Sequence, residues 1–233
     1  MLASKFVFRQ LFDKTSSTYT YIVGSKKTRE CLIIDPVVDQ LERDLNLLKQ
    51  LDLKLTYILD THVHADHITA SGKLRKSTNA KIVLGSGNKI EGVDVLLNDG
   101  EVLEMGDVVV QAIHTPGHTS GCTTFKIEEA LFTGDTVLIR RTGRTDFQGG
   151  SSAQLYKSIT QKLWVFADDT VIYPGHDYTG FTTTTVGEEK KWNARVKEGI
   201  TEEEFVKIMA DLKLDYPKQI DVALPANLKL GLE

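Results

Sequence analysis

Thr61-His62-Val63-His64-Ala65-Asp66-His67 is the stretch on which the fold turns. It follows an apolar run, Leu55 to Leu59, that has the length and composition of a buried strand and stops at Asp60. Side chains alternate faces along an extended chain, so His62 and His64 project the same way from the strand end. A turn into a helix would bring Asp66 and His67 back toward the same point. One buried neutral histidine is ordinary. Three beside a carboxylate are costly to bury unless they share a cation or a dense hydrogen-bond network. Metal ligation therefore outweighs the blander reading of the stretch as a polar helix cap.

The chain holds six histidines, and none is scattered. The other three fall in His114-Thr115-Pro116-Gly117-His118 and in Tyr173-Pro174-Gly175-His176-Asp177-Tyr178. Between these lies Thr133-Gly134-Asp135, after the apolar pair Leu131-Phe132. Each stretch joins an apolar run, a Gly or Pro turn and a candidate ligand at its end. Seven groups could thus bind metal: His62, His64, Asp66, His67, His118, Asp135 and His176. The residues alone permit a two-metal hydrolase as readily as a single-metal site. His114 is expected on a strand, outside the metal sphere.

Alternation over 6–12 and 18–23 predicts two strands, and 31–34 a third, stopped by Asp35-Pro36. Val38, Leu41, Leu45 and Leu48 recur at helical spacing, which predicts a helix over 38–51. The strand at 55–59 comes next, then a helix at 71–76 and a strand at 80–84. Gly85-Ser86-Gly87 lacks the Lys-Ser/Thr ending of a phosphate loop and reads as a plain turn. Further strands are expected at 93–97, 101–104, 107–113, 121–127, 130–133 and 170–173, with a helix over 152–165. Strand groups followed by a helix, twice over, predict an α/β architecture: an αββα sandwich of two mixed β-sheets flanked by helices. Residues 181–185 read as a loop or edge strand. Helices are expected at 188–195 and 202–212, the latter with Thr201 as N-cap and Phe205, Ile208, Met209 and Leu212 on one face. With no Pro- or Ser-rich linker, 1–233 is expected to be one domain, its C-terminal helices (about 186–233) lying over the pocket.

Hydrophobic content of 41%, charged content of 26% and a net charge of −4 are those of an ordinary globular chain. Basic and acidic residues are interspersed, which argues against a nucleic-acid partner. No apolar run approaches the roughly 18 residues of a membrane span. Cys31 and Cys122 form no Cys-x-x-Cys pair and are expected to be inert buried thiols, suited to a reducing compartment.

The four ligand stretches, in this order, resemble the metallo-β-lactamase superfamily. A closer likeness lies in His64-Ala65-Asp66-His67-Ile68-Thr69-Ala70-Ser71-Gly72, Gly117-His118-Thr119-Ser120-Gly121-Cys122, Gly143-Arg144-Thr145-Asp146-Phe147-Gln148 and Tyr173 to Tyr178. These are similar to the persulfide dioxygenases, and the likeness runs from Phe8-Arg9-Gln10-Leu11-Phe12 to the tail Ile220 to Asn227. It implies a single Fe(II) per chain held by His62, His118 and Asp135, with one face left open for substrate and oxygen. His64, Asp66, His67 and His176 would then orient those ligands and the groups near the iron.

The implied reaction takes glutathione persulfide, O2 and water to sulfite and glutathione. Arg144 and Tyr178 become candidate substrate contacts, with an Arg144–Asp146 pair as the scaffolding alternative for Arg144. Lys229 is a weaker candidate. The resemblance also implies a homodimer, built on the apolar face of the C-terminal helices. It implies a mitochondrial-matrix location in a eukaryote, or a cytoplasmic one in a bacterium. No rhodanese segment is fused within these residues, so a separate sulfurtransferase would supply persulfide. The chain departs from the family at Arg141-Thr142, where a Gly-Cys-like pair is more usual; this alters the charge near the pocket. Two alternatives stand beside this reading: a glyoxalase-II-like dizinc hydrolase of glutathione thioesters, and a metal-binding scaffold without activity.

Overall fold

The computed structural model describes residues 2–88 and 90–232. The first half forms a six-stranded sheet of β1 (Val7–Asp13), β2 (Thr18–Gly24), β3 (Glu30–Ile34), β4 (Lys54–Leu59), β5 (Lys81–Gly85) and β6 (Val95–Leu97), in that order. β1 to β3 pair antiparallel, and β3 to β6 pair parallel. The second half forms another, ordered β12-β11-β10-β9-β8-β7 from β7 (Val102–Met105), β8 (Val108–His114), β9 (Thr123–Ile127), β10 (Ala130–Gly134), β11 (Val171–Pro174) and β12 (Thr184–Thr185). Only β10 and β11 pair parallel there. Both sheets are mixed, as the sequence predicts.

Period-two alternation builds three apolar layers from the strands. Tyr21, Val23, Leu32, Ile34 and Leu59 face Phe125, Phe132 and Val110 across the space between the sheets. Their strand neighbours Ile22, Ile33 and Ile58 point outward, beneath Leu48 of α2 (Leu41–Gln50) and Leu74 of α3 (Ser71–Thr78). On the far side Ile113, Leu131 and Ile172 meet Leu155 of α4 (Ser152–Lys157) and Phe205 and Met209 of α6 (Glu202–Ala210). Because both faces of β2 to β4 are covered, these strands read as continuous apolar runs. The result is the αββα sandwich.

Several expectations shift in detail. The helix expected over 152–165 is α4 followed by a π-helical turn, Ser158–Leu163. The strand at 93–97 shrinks to β6, and 181–185 contributes only the two-residue edge strand β12. A short α1 (Leu2–Lys5) precedes β1, and the helix at 188–195 lies at α5 (Val186–Trp192). The tail forms α7 (Ile220–Asn227), which contains Pro225 and showed no helical periodicity. Thr201 caps α6 in a full capping box with Glu204. Phe205 and Met209 are spent against α4 and the second sheet, so the α6 face is not available to a partner copy.

Four strands end at one rim. Irregular chain follows β4 at 60–70, β8 at 115–122, β10 at 135 and β11 at 175–178, and each of these loops carries candidate ligands. Asp66 and His67 therefore sit in a loop that ends before α3. The rim opens into a cavity of about 740 Å³. The C-terminal part borders it through Arg195, the segment from Leu214 to Gln219 and α7.

Candidate metal centre

His62, His118 and Asp135 come together, one ligand atom from each lying within 4.8 Å of the others. Their tautomers follow from their neighbours. Thr61 Oγ1 gives its one proton to Asp35 Oδ2 at 2.9 Å, so it accepts from His62 Nδ1, also at 2.9 Å. That leaves the His62 Nε2 lone pair free. His118 Nδ1 donates to the Arg144 carbonyl at 2.7 Å, and its Nε2 lies 3.8 Å from Asp135 Oδ2. The two imidazole rings stand edge to face at 4.9 Å. Burial, then the neighbouring His64 and His118, hold His62 well below its ordinary value, so it is a neutral imidazole. Burial alone would raise Asp135; the charged His176 hydrogen-bonded to it outweighs that and keeps the carboxylate ionised. Two imidazoles and a carboxylate, each fixed from behind, are a donor set that could hold a divalent transition metal.

Asp135 owes its place to Gly134. β10 loses register with β11 after Phe132, and Gly134 takes φ +50, where a side chain would meet Thr61 Oγ1 at 2.4 Å. Gly143 packs as tightly behind the ligands. A Cβ there would lie 2.4 Å from the Asp135 carbonyl and 2.9 Å from His118 Cγ.

His176 lies beside this set and bridges two acids, with Nδ1 2.6 Å from Asp135 Oδ1 and Nε2 2.7 Å from Asp66 Oδ2. Both nitrogens donate. Burial works against that charge, but Asp135 and Asp66 raise His176 well above its ordinary value. The Tyr178 ring stacks on it at 6.1 Å and 4°. His67 Nδ1 donates to Asp66 Oδ2 at 3.0 Å, while burial lowers the ring. His64 Nε2 donates to Asp35 Oδ1 at 3.1 Å; burial would lower it, yet Asp35 lifts it to about 9. Two buried ring nitrogens, His64 Nδ1 and His67 Nε2, have no hydrogen-bond partner among the described residues. His64, Asp66 and His67 also converge within 4.8 Å, a second donor group beside the first.

The remaining candidates separate. Arg144 lines the cavity, but Asp146 holds its fork at 2.7 Å on both sides and its Nη1 donates to the Asp215 carbonyl. It rests 4.6 Å over the Phe147 ring, which meets Tyr216 edge on. Tyr178 and Arg141 line the cavity; Lys229 is exposed on the tail. His114 lies outside the metal donors, its Nε2 2.9 Å from the Leu97 carbonyl. The Cys122 Sγ accepts from the Thr119 amide, and burial pushes the thiol up to about 12. Cys31 is likewise buried and pushed up to about 12.

Sequence reasoning missed four supports. Asp35 accepts from Thr61 N, Thr61 Oγ1 and His64. Thr18 Oγ1 reaches His176 at 3.0 Å. Gln148 donates to the Val63 carbonyl at 2.7 Å. Asn227, in the tail, donates to the His64 and His67 carbonyls at 2.8 Å each and accepts from Thr69 N at 2.9 Å. The Asp35-Pro36 strand stop, the motif over 143–148 and the tail motif were the hints.

The family model described as the metallo-beta-lactamase superfamily matches residues 14–176. The human mitochondrial persulfide dioxygenase ETHE1 is 43% identical over 97% of this chain and 89% of its own length. The crystal structure of ETHE1 from Myxococcus xanthus superposes with a TM-score of 0.94 at 50% identity, covering 97% of this chain and 99% of that one. A metallo-beta-lactamase from Staphylococcus aureus superposes with a TM-score of 0.89 at 25% identity, over 98% of this chain and 73% of that one.

Proposed function

The chain belongs to the metallo-β-lactamase superfamily and, within it, to the persulfide dioxygenases, and from that membership we propose that it oxidises glutathione persulfide with O2 and water to sulfite and glutathione. The observation that carries the reading is the triad of His62, His118 and Asp135. Both imidazoles have Nδ1 engaged from behind, and His118 and Asp135 border the cavity. We assign this triad one ferrous ion per chain. When bound, iron would supply the one-electron oxygen chemistry that zinc lacks.

The chain's own groups bind and orient. Thr61 and the Arg144 carbonyl hold the imidazoles in the ligating tautomer. His176 ties Asp135 Oδ1 and leaves Oδ2 toward His118. His67 Nε2 and His64 Nδ1, buried and unpartnered, remain to bond water or substrate beside the triad. Arg144 and Phe147 line one wall, Arg144 held by Asp146 and Phe147 met edge on by Tyr216. Tyr178 stands over His176 at the mouth, where the tripeptide body of glutathione would lie. Arg144 shapes this wall rather than offering a free fork.

A dizinc thioester hydrolase would use all seven groups, those of the second donor cluster among them. That reading requires His176 to release at least one of its two acids. A homodimer, a separate sulfurtransferase donor and a reducing compartment, matrix or bacterial cytoplasm, complete the proposal. Among the described residues no helix is long and apolar enough to cross a membrane. The test is to load the protein with Fe(II) free of zinc, count the metal, and follow oxygen uptake with glutathione persulfide. One iron per chain and stoichiometric sulfite are expected. No uptake, or activity that needs two zincs per chain, would overturn it.

A further inference from the structure

The cavity wall carries two guanidinium groups that no acid among the described residues answers. Arg75, Arg140 and Arg144 each hold a carboxylate. Arg141 also faces the cavity, yet its guanidinium makes no hydrogen bond or ion pair among the described residues. Arg195 borders the same cavity, and its guanidinium donates to Thr142, to the carbonyl at 2.6 Å and the hydroxyl at 3.5 Å. Burial, then the charge of Arg141, lowers Arg195 from its ordinary value, so the two cations feel each other. Like charges left facing one partly desolvated space weaken the free protein, and an entering anion relieves them.

Arg141 is also well anchored. Its main chain exchanges two hydrogen bonds with Leu138, at 2.9 and 3.2 Å, and its carbonyl accepts from Asn193 Nδ2 at 3.0 Å. The side chain therefore leaves a fixed point into open cavity. Lys218, the other unpaired cation bordering the cavity, is exposed.

We propose that Arg141, together with Arg195, forms an anion subsite in the cavity wall that takes a carboxylate of the substrate's tripeptide. The assignment rests on the persulfide dioxygenase reading for the identity of that tripeptide. A planar guanidinium matches a carboxylate in two parallel hydrogen bonds, which a lysine does not reproduce. Arg144 is already saturated by Asp146 and cannot do the same without breaking that pair.

The test is a binding cycle on the purified holoenzyme, with glutathione and its diethyl ester titrated calorimetrically into wild type, Arg141→Gln and Arg141→Lys. Arg141→Gln removes a guanidinium that makes no hydrogen bond or ion pair among the described residues, so folding is expected to be preserved. Glutathione is expected to bind Arg141→Gln about tenfold more weakly, and discrimination against the ester should shrink by a similar factor. Arg141→Lys should recover part of the loss. Unchanged glutathione affinity in Arg141→Gln, or unchanged discrimination against the ester, would overturn the subsite. The two readings fail separately. Absence of oxygen uptake in wild type removes the dioxygenase assignment while the cycle still decides the subsite. Full uptake with an indifferent Arg141→Gln removes the subsite alone.

Discussion

In the loop after β4, polar side chains do the holding. Asp35 fixes Thr61 and His64, Thr61 fixes His62, and the Asn227 amide spans His64, His67 and Thr69. In the loops after β8 and β10, main chain and glycine do this work. His118 is set by a carbonyl, Asp135 by the turn at Gly134, and Gly143 fills the space behind both with no side chain at all. One half of the site can thus be spoiled by removing atoms, the other by adding them. Two sheets meet at this rim, and each supplies ligands from a different kind of support.

Gly143→Ala tests the second half and should have the largest effect. A Cβ has no room 2.4 Å from the Asp135 carbonyl, and that atom is main chain, so it cannot swing away. The segment bearing Asp135 or the one bearing His118 must move by a sizeable fraction of an ångström. Misplacement on this scale is expected to cost roughly 100-fold in oxygen uptake, with metal content reduced. Gly143 has no positive φ, so the loss would be steric and not conformational. An alanine variant with wild-type turnover would show that the second half is softer than its packing indicates.

Thr61→Val tests the first half by deletion. The methyl groups keep the shape, but the hydroxyl between His62 and Asp35 is gone. His62 Nδ1 then lacks its acceptor and the ligating tautomer is no longer enforced. Metal affinity, read by competition with a chelator, should fall about 10- to 100-fold. Thr61→Ser should restore it. Equal affinities for all three would break the relay as an explanation, and with it the contrast between the halves.

The ligands were legible because they crowd: three histidines and an aspartate in six positions have few other physical uses. The layers were legible because β2 to β4 are apolar on both faces. The supports were not. Asp35 reads in sequence as a strand stop, and its partners lie 26 and 29 residues away, joined by side-chain bonds that follow no period. α7 was missed as a helix because Pro225 and a weakly amphipathic pattern hide it, so its Asn227 passed as part of a motif without a task. The α6 face looked free because its apolar residues are spaced as for a partner, whereas the partner is α4 of the same chain.

Asn227→Ala should have the smallest effect on chemistry and a clear one on stability. Its side chain satisfies one amide and two carbonyls, all buried, across 158 to 163 residues of chain. Alanine leaves them unpaired in a space too small to rearrange freely, at about 2–4 kcal/mol in total. The guanidinium midpoint should drop without a change in slope. Turnover should fall less than about tenfold, because Asn227 grips the loop through His64 and His67 and not through the ligand His62. Asn227→Asp sharpens the point. Aspartate keeps the acceptor for Thr69 but turns a negative oxygen toward two carbonyls, so it should be less stable than alanine. Should the aspartate variant prove as stable as wild type, the tail would not clamp the loop through its amide, and the first half would need another anchor.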